Sequence, residues 1–188
     1  MDQADNTSRM CAPASKFTHA AALAALCVSS LFIGAAHAAD DPCAGFKWNV
    51  AHERQLFASS AQNLTAARDG SSLPAMEADR LYDLALTPQD QVQFPVPPGK
   101  KMLADGAYAG FARLHVPAAG TYRIALDQAF WVDVVDGVEP VRSADFTGQP
   151  GCRAPHKIVQ YQLHGGDYTL QLSGAVSAHV LITLTQVP

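Results

Sequence analysis

From Leu81 to the C-terminus, apolar side chains fall on every second position in run after run. Tyr82, Leu84 and Leu86 alternate with Asp83, Ala85 and Thr87, and Ala112, Leu114 and Val116 alternate with Phe111, Arg113 and His115. Tyr122, Ile124 and Leu126 follow, then Phe130, Val132 and Val134, then Val159, Tyr161 and Leu163. The series closes with Tyr168, Leu170 and Leu172, and with Val180, Ile182 and Leu184. Period two marks strands that bury one face. Gln91 to Val96 repeats it with Val92, Phe94 and Val96, although Pro95 confines that run to an edge or a bulge. Asp136-Gly137 between Val135 and Val138 is a hairpin signal. Gly, Pro and Asp separate the runs, so about eight short strands are expected. The predicted fold is mainly β: a single antiparallel β-sandwich, jelly-roll-like, over residues 76–188.

Residues 39–75 are patterned differently. Asn49 is an acceptable helix N-cap, and Val50 to Ala58 lacks Gly and Pro. Leu56 and Phe57, with Val50 or Glu53, give one apolar stripe at helical spacing. A short helix on the outside of the domain is predicted. Ser59 to Pro74 is small and polar, which predicts an irregular crossing.

Upstream, residues 20–36 are almost unbroken small and apolar side chains, preceded by Arg9 and Lys16 and followed by Ala36-His37-Ala38. The run is short for a membrane span and suits a signal peptide over 1–38, cut after Ala38. Met10 offers an alternative start. Leu26 before Cys27 is bulkier than a lipobox residue, so no lipid anchor is expected. An uncleaved anchor helix is the alternative, and the Asp40-Asp41-Pro42 break opposes it. The expected location is periplasmic or secreted. No second long apolar run follows, so no membrane insertion is expected after cleavage.

Cleavage would remove Arg9, Lys16, Asp2 and Asp5, two charges of each sign, and leave the net charge at −4. The remaining basic residues are scattered apart from Lys100-Lys101. That argues against a nucleic-acid groove, which needs clustered positive charge. Of the four cysteines, Cys43 and Cys152 would remain. In an oxidising compartment such a pair predicts a disulfide, since the close spacing of a redox-active pair is absent.

One internal echo stands out. Val116-Pro-Ala-Ala-Gly120-Thr-Tyr122-Arg-Ile124-Ala-Leu126 matches Leu163-His-Gly-Gly-Asp-Tyr168-Thr-Leu170-Gln-Leu172 with one residue deleted. Each is a strand end, a Gly turn, then Tyr-x-apolar-x-Leu, with the Tyr closing the end of the core. On Ala119-Gly120-Thr121-Tyr122 and Gly166-Asp167-Tyr168-Thr169-Leu170, the chain from Leu81 resembles the jelly-roll-like sandwiches of secreted bacterial proteins. These are the pre-peptidase C-terminal domains and some carbohydrate-binding modules. The resemblance implies a binding module. Cys43-Ala-Gly-Phe-Lys-Trp48 through Glu53-Arg54 also resembles the opening of small exported proteins of Proteobacteria. Some of these carry a homogentisate-dioxygenase label, whose ligand pattern has no counterpart that can be placed here.

Candidate chemistry divides three ways. A cupin-like metal site wants His-x-His, a Glu and a distant His; His52, Glu53, His156 and His164 come nearest, without any His-x-His. No Gly-x-Ser-x-Gly elbow and no Gly-rich phosphate loop are present. A binding face is the second candidate: with Val132 and Val134 inward, Trp131 and Asp133 face out, as a sugar-binding face would have them. Arg142 and Asp145 could lie on the returning strand. Since Trp is seldom left bare and the helix's own apolar stripe needs a partner, cover of Trp131 by the N-terminal helix is the favoured expectation. The third candidate is the loop Gly148 to Lys157, where Arg153, His156 and Lys157 would form a cationic knot suited to anionic ligands.

The sequence thus points to an exported, non-catalytic β-sandwich binding a small molecule, glycan or partner protein, with no cofactor. Its tentative ligand residues are Trp131, Asp133, Arg153, His156 and Lys157. A small metal-dependent enzyme, cupin-like and of dioxygenase type, is the rival reading. A structural partner in envelope assembly is a third, and it predicts a broad apolar patch.

Overall fold

The alternating runs pair into two mixed sheets that face one another. A computed structural model describes residues 41–101 and 105–188. The expected leader over 1–38, its cut after Ala38 and the Met10 start lie outside the described residues. Numbered along the chain, the first sheet has the spatial order β1 (Gln62–Thr65), β3 (Leu81–Ala85), β12 (His179–Gln186), β6 (Gly120–Leu126), β10 (Lys157–Leu163), β9 (Asp145–Gly148). The second runs β2 (Ala75–Met76), β5 (Tyr108–Val116), β11 (Gly166–Ala175), β7 (Trp131–Asp136), β8 (Glu139–Val141). A two-residue strand, β4 (Thr87–Pro88), adds onto β5.

Apart from the Gln91–Val96 run, every inward position named from the alternation between Tyr82 and Leu184 lies in one buried cluster between the sheets. Side chains of the opposite parity, Phe111 among them, face outward into separate clusters. The architecture differs from expectation in two respects. The described residues form twelve strands rather than about eight. The sheets are also not wholly antiparallel, because β1 joins β3 and β2 joins β5 in parallel. These two parallel strands fall at the stretch read as an irregular crossing, β1 inside it and β2 directly after Pro74. At four and two residues they are too short to show an alternation, and neighbouring strands recruit them.

The Gln91–Val96 run is not a strand. After a single 3-10 turn (Gln89–Gln91), it forms an extended strap over the outer face of the second sheet. Val92 and Phe94 pack there on Ala109 and Phe111, and the Phe94 and Phe111 rings meet edge to face at 5.5 Å. Pro95, Pro97 and Pro98 have no N–H for a ladder, so the strap is held by this packing and by the Gln93 N–H donated to Arg68 O at 2.8 Å.

The predicted helix is present as α1 (Ala51–Phe57), and Asn49 Oδ1 accepts the Ala51 N–H at 3.0 Å. Phe46, Trp48, Val50 and Phe57 cover Ala125 and Ile158 on the outer face of the first sheet. The predicted disulfide is formed. Cys43–Cys152 closes a separation of 109 residues and pins this N-terminal segment beside β10. A loop of that length is worth about 4.7 kcal/mol in the chain-entropy account.

The repeated Tyr turns have one structural meaning. Tyr122 donates its hydroxyl to Ala118 O at 2.9 Å; Tyr168 donates to His164 O at 3.2 Å and accepts the His164 N–H at 3.0 Å. Each tyrosine closes a turn four residues back. These turns are crossings from one sheet to the other, β5 to β6 and β10 to β11, rather than hairpins. The true hairpin joins β7 to β8, where Gly137 (φ +60°) occupies a position that L side chains seldom adopt.

Candidate functional site

The chain runs from β8, at the edge of the second sheet, directly into β9, at the edge of the first. At this end the sheets splay. Phe146 of β9 stands opposite Val159 of β10, so it belongs to the inward-facing set, yet it is 68% exposed. Val141 of β8 stands opposite the fully buried Val134, yet it is only partly buried. The two inner faces thus continue past the filled core and enclose a cleft of about 620 Å³. It is a volume in the range of small-molecule sites.

Strand parity sets what enters the cleft. Lys157, Val159 and Tyr161 share the inner face of β10, and all three line it. Lys157 Nζ donates to Phe130 O at 2.6 Å, and Tyr161 donates its hydroxyl to Val132 O at 3.1 Å. Both bonds tie β10 to the opposite sheet. Burial, and secondarily the neighbouring Lys100 charge, holds the Lys157 ammonium below the usual lysine range. Burial also pushes the Tyr161 phenol upward, with a smaller contribution from the nearby Asp133 carboxylate.

Trp131 and Asp133 form the opposite lip. Asp133 Oδ1 accepts the Trp131 indole N–H at 2.9 Å, and its Oδ2 accepts the Gly99 N–H at 3.0 Å. Both carboxylate oxygens are therefore engaged within the protein. Asp133 positions Trp131 and anchors the end of the strap. Two ammonium groups attend the indole, Lys157 at 5.8 Å and Lys100 at 5.9 Å from the ring centroid. The N-terminal helix does not cover Trp131, because that helix lies on the outer face of the first sheet and Trp131 belongs to the second.

Arg142 enters from the β8–β9 connection and is exposed. Asp145, expected near it, pairs instead with Lys47 of the N-terminal segment. None of the ion pairs among the described residues involves Lys100, Arg142 or Lys157.

The sequence-predicted site residues fall into two groups. Trp131, Asp133 and Lys157 converge on the cleft. Arg153 and His156 do not; they line a separate small depression with Asp127 and Gln128. The expected cationic knot is split because adjacent residues of an extended chain point to opposite faces. His156 Nδ1 turns to Cys152 O at 2.9 Å while Lys157 turns inward.

The four candidate metal ligands are likewise dispersed. His52 Nε2 pairs with Asp79 Oδ1 at 2.7 Å, Glu53 is buried against Arg123 and Thr185, and His164 sits exposed in the β10–β11 turn. Among the described residues, no three His, Cys, Asp or Glu side chains group so as to hold a metal ion.

Phe146, Val141, Tyr161 and the strap residue Gly99 were not flagged by the pattern. Tyr161 reads as core, which it also is. Phe146 sits in a four-residue strand with no alternation to read. No protein-family model matches the chain, and no curated protein matches it in sequence.

Proposed function

We propose that this chain is an exported, non-catalytic β-sandwich that binds a small molecule or glycan in the cleft between β8 and β9. The observation that carries the reading is the exposed Phe146, with Val141 only partly buried, inner-face side chains at the end where the sheets splay. An apolar interior with a few fixed polar groups at its rim is the usual make-up of a ligand site. Trp131, locked by Asp133, and Lys157, locked by Phe130 O, supply those groups. The resemblance to carbohydrate-binding modules agrees with this reading.

Export is supported by the Cys43–Cys152 disulfide, which suits an oxidising compartment. Among the described residues no helix is long and apolar enough to cross a membrane. Among the described residues the large exposed apolar side chains are Val138, Phe146 and Val176, on three separate segments of the chain.

The test is a thermal-shift screen of sugars and small metabolites on protein recovered from the periplasm, run beside Val141→Trp. A ligand stabilises only the state that binds it. Compounds should raise the unfolding midpoint of the wild type and leave the cleft-filled variant unmoved. Turnover of a stabilising compound, or equal shifts in both proteins, would overturn the proposal.

A further inference from the structure

Two cations, Arg142 and Lys157, line the cleft, and Lys100 stands beside it at the indole. None of them is in an ion pair among the described residues, and the lining carboxylate, Asp133, is already hydrogen-bonded within the protein. Asp133 keeps its charge, but each of its oxygens already accepts a hydrogen bond, from Trp131 or from Gly99, so the lining sets two cations against one engaged carboxylate. Lys157 uses one N–H on Phe130 O and keeps two. Arg142 is exposed at the mouth with its fork of donors free of any ion pair among the described residues. Lys100 completes the set across the indole. A neutral sugar would stack on a bare indole face, whereas two ammonium groups attend this one, and the excess positive charge of the lining favours an anion.

We propose, on the basis of the binding reading above, that the ligand is a small organic acid. Its anionic oxygens are received by Arg142 and Lys157, and its body rests on Val141, Phe146 and Trp131. Arg142 supplies the planar fork that matches a carboxylate or phosphate, while Lys157 supplies a point charge deeper inside. The cost of holding the Lys157 ammonium in a partly buried site beside Lys100 falls when an anion arrives. The exposed Phe146 ring gains the cover that the protein itself does not give it.

The test follows the Trp131 indole N–H signal by NMR, assigned with Trp131→Phe, against matched probes. Benzoate and phenyl phosphate are compared with benzamide, and glucuronate with glucose. The acids should shift the signal at concentrations about tenfold lower than their neutral twins. Arg142→Gln, an exposed change that leaves the fold intact, should remove that difference, and Lys157→Gln should do the same. The arm that saturates earliest tells a carboxylate from a phosphate and an aromatic body from a sugar. Neutral twins that bind as well as the acids would overturn the acid inference and leave the cleft standing. No shift with any probe, or shifts that persist in Val141→Trp, would overturn the cleft itself.

Discussion

Two residues carry charge into places where charge is costly, and they do so for different ends. Glu53 is almost fully buried on α1 and faces Arg123 of β6, with Nη1 at 3.3 Å from its Oε1; Thr185 donates to the same oxygen at 3.0 Å. Arg123 also donates to Asn49 O at 3.0 Å and lies 4.8 Å from the Trp48 ring centroid. This network fastens the N-terminal segment to the sheet. Glu53→Ala would leave Arg123 buried without its counter-charge and should cost about 3 kcal/mol in a urea titration. A loss within the range of a surface substitution would show that the pair does not fasten the helix. Lys157 is the opposite case, since its burial opposes folding while the ammonium is charged. Its folded pKa lies below the usual 10.5, so across the interval between the two the unfolded chain holds the proton and the folded chain has released it. Stability therefore rises with pH through that interval, and below it the penalty stands in full. Compared with Lys157→Met, the wild type should gain stability as pH is raised from neutral toward 10.5. Parallel stability curves for the two proteins would sink this account.

At the scale of elements, the strap shows why periodicity alone misleads. Val92, Phe94 and Val96 alternate as a strand would, and two of them do bury on one face, but the face is the outside of a sheet. A strand and a strap differ in what their backbone pairs with, and three prolines close together were the signal that favoured the strap. The helix was legible in a run free of Gly and Pro, although its N-cap is Val50 rather than Asn49, and the disulfide in a lone pair of cysteines. The role of Glu53 was not legible. Beside His52 it suggested a ligand pair, whereas its partner lies seventy residues away on β6. Gly99 ends the strap at the cleft, where a Cβ would stand 2.7 Å from Asp133 Oδ1 and 3.3 Å from Trp131 Nε1. Gly99→Ala must therefore displace the Asp133 carboxylate or the strap, and either movement loosens the hydrogen bond that joins them. Hydrogen exchange at the amides of residues 99–101 should quicken, while the amides of β5 and β11 stay protected. Unchanged exchange there would mean that Asp133 does not anchor the strap.

Across the whole molecule, period two identified which side chains face the core and left open which strands stand at the edges. That choice depends on pairings between segments far apart in sequence, such as β7 with β11 and β10 with β6. The cleft arises from it, because two consecutive edge strands end opposite sheets without meeting. Trp131 and Lys157 were legible as candidates one at a time. Their convergence needed a residue from each sheet, and the exposure of Phe146 needed the splay. A fold that leaves inner-face side chains uncovered forgoes apolar burial it could have had, and this suggests a direct measurement. Val141→Trp places a larger apolar side chain in the open end of the core, against Phe146 and Val159. If the cleft is an unfilled continuation of the core, the variant should be more stable than the wild type by about 1 kcal/mol, as for other cavity-filling changes. It should at the same time lose the ligand-induced shifts described above. A destabilised variant would mean instead that the splayed edges are already packed as closely as their backbones allow, and that the cleft is too rigid to be filled.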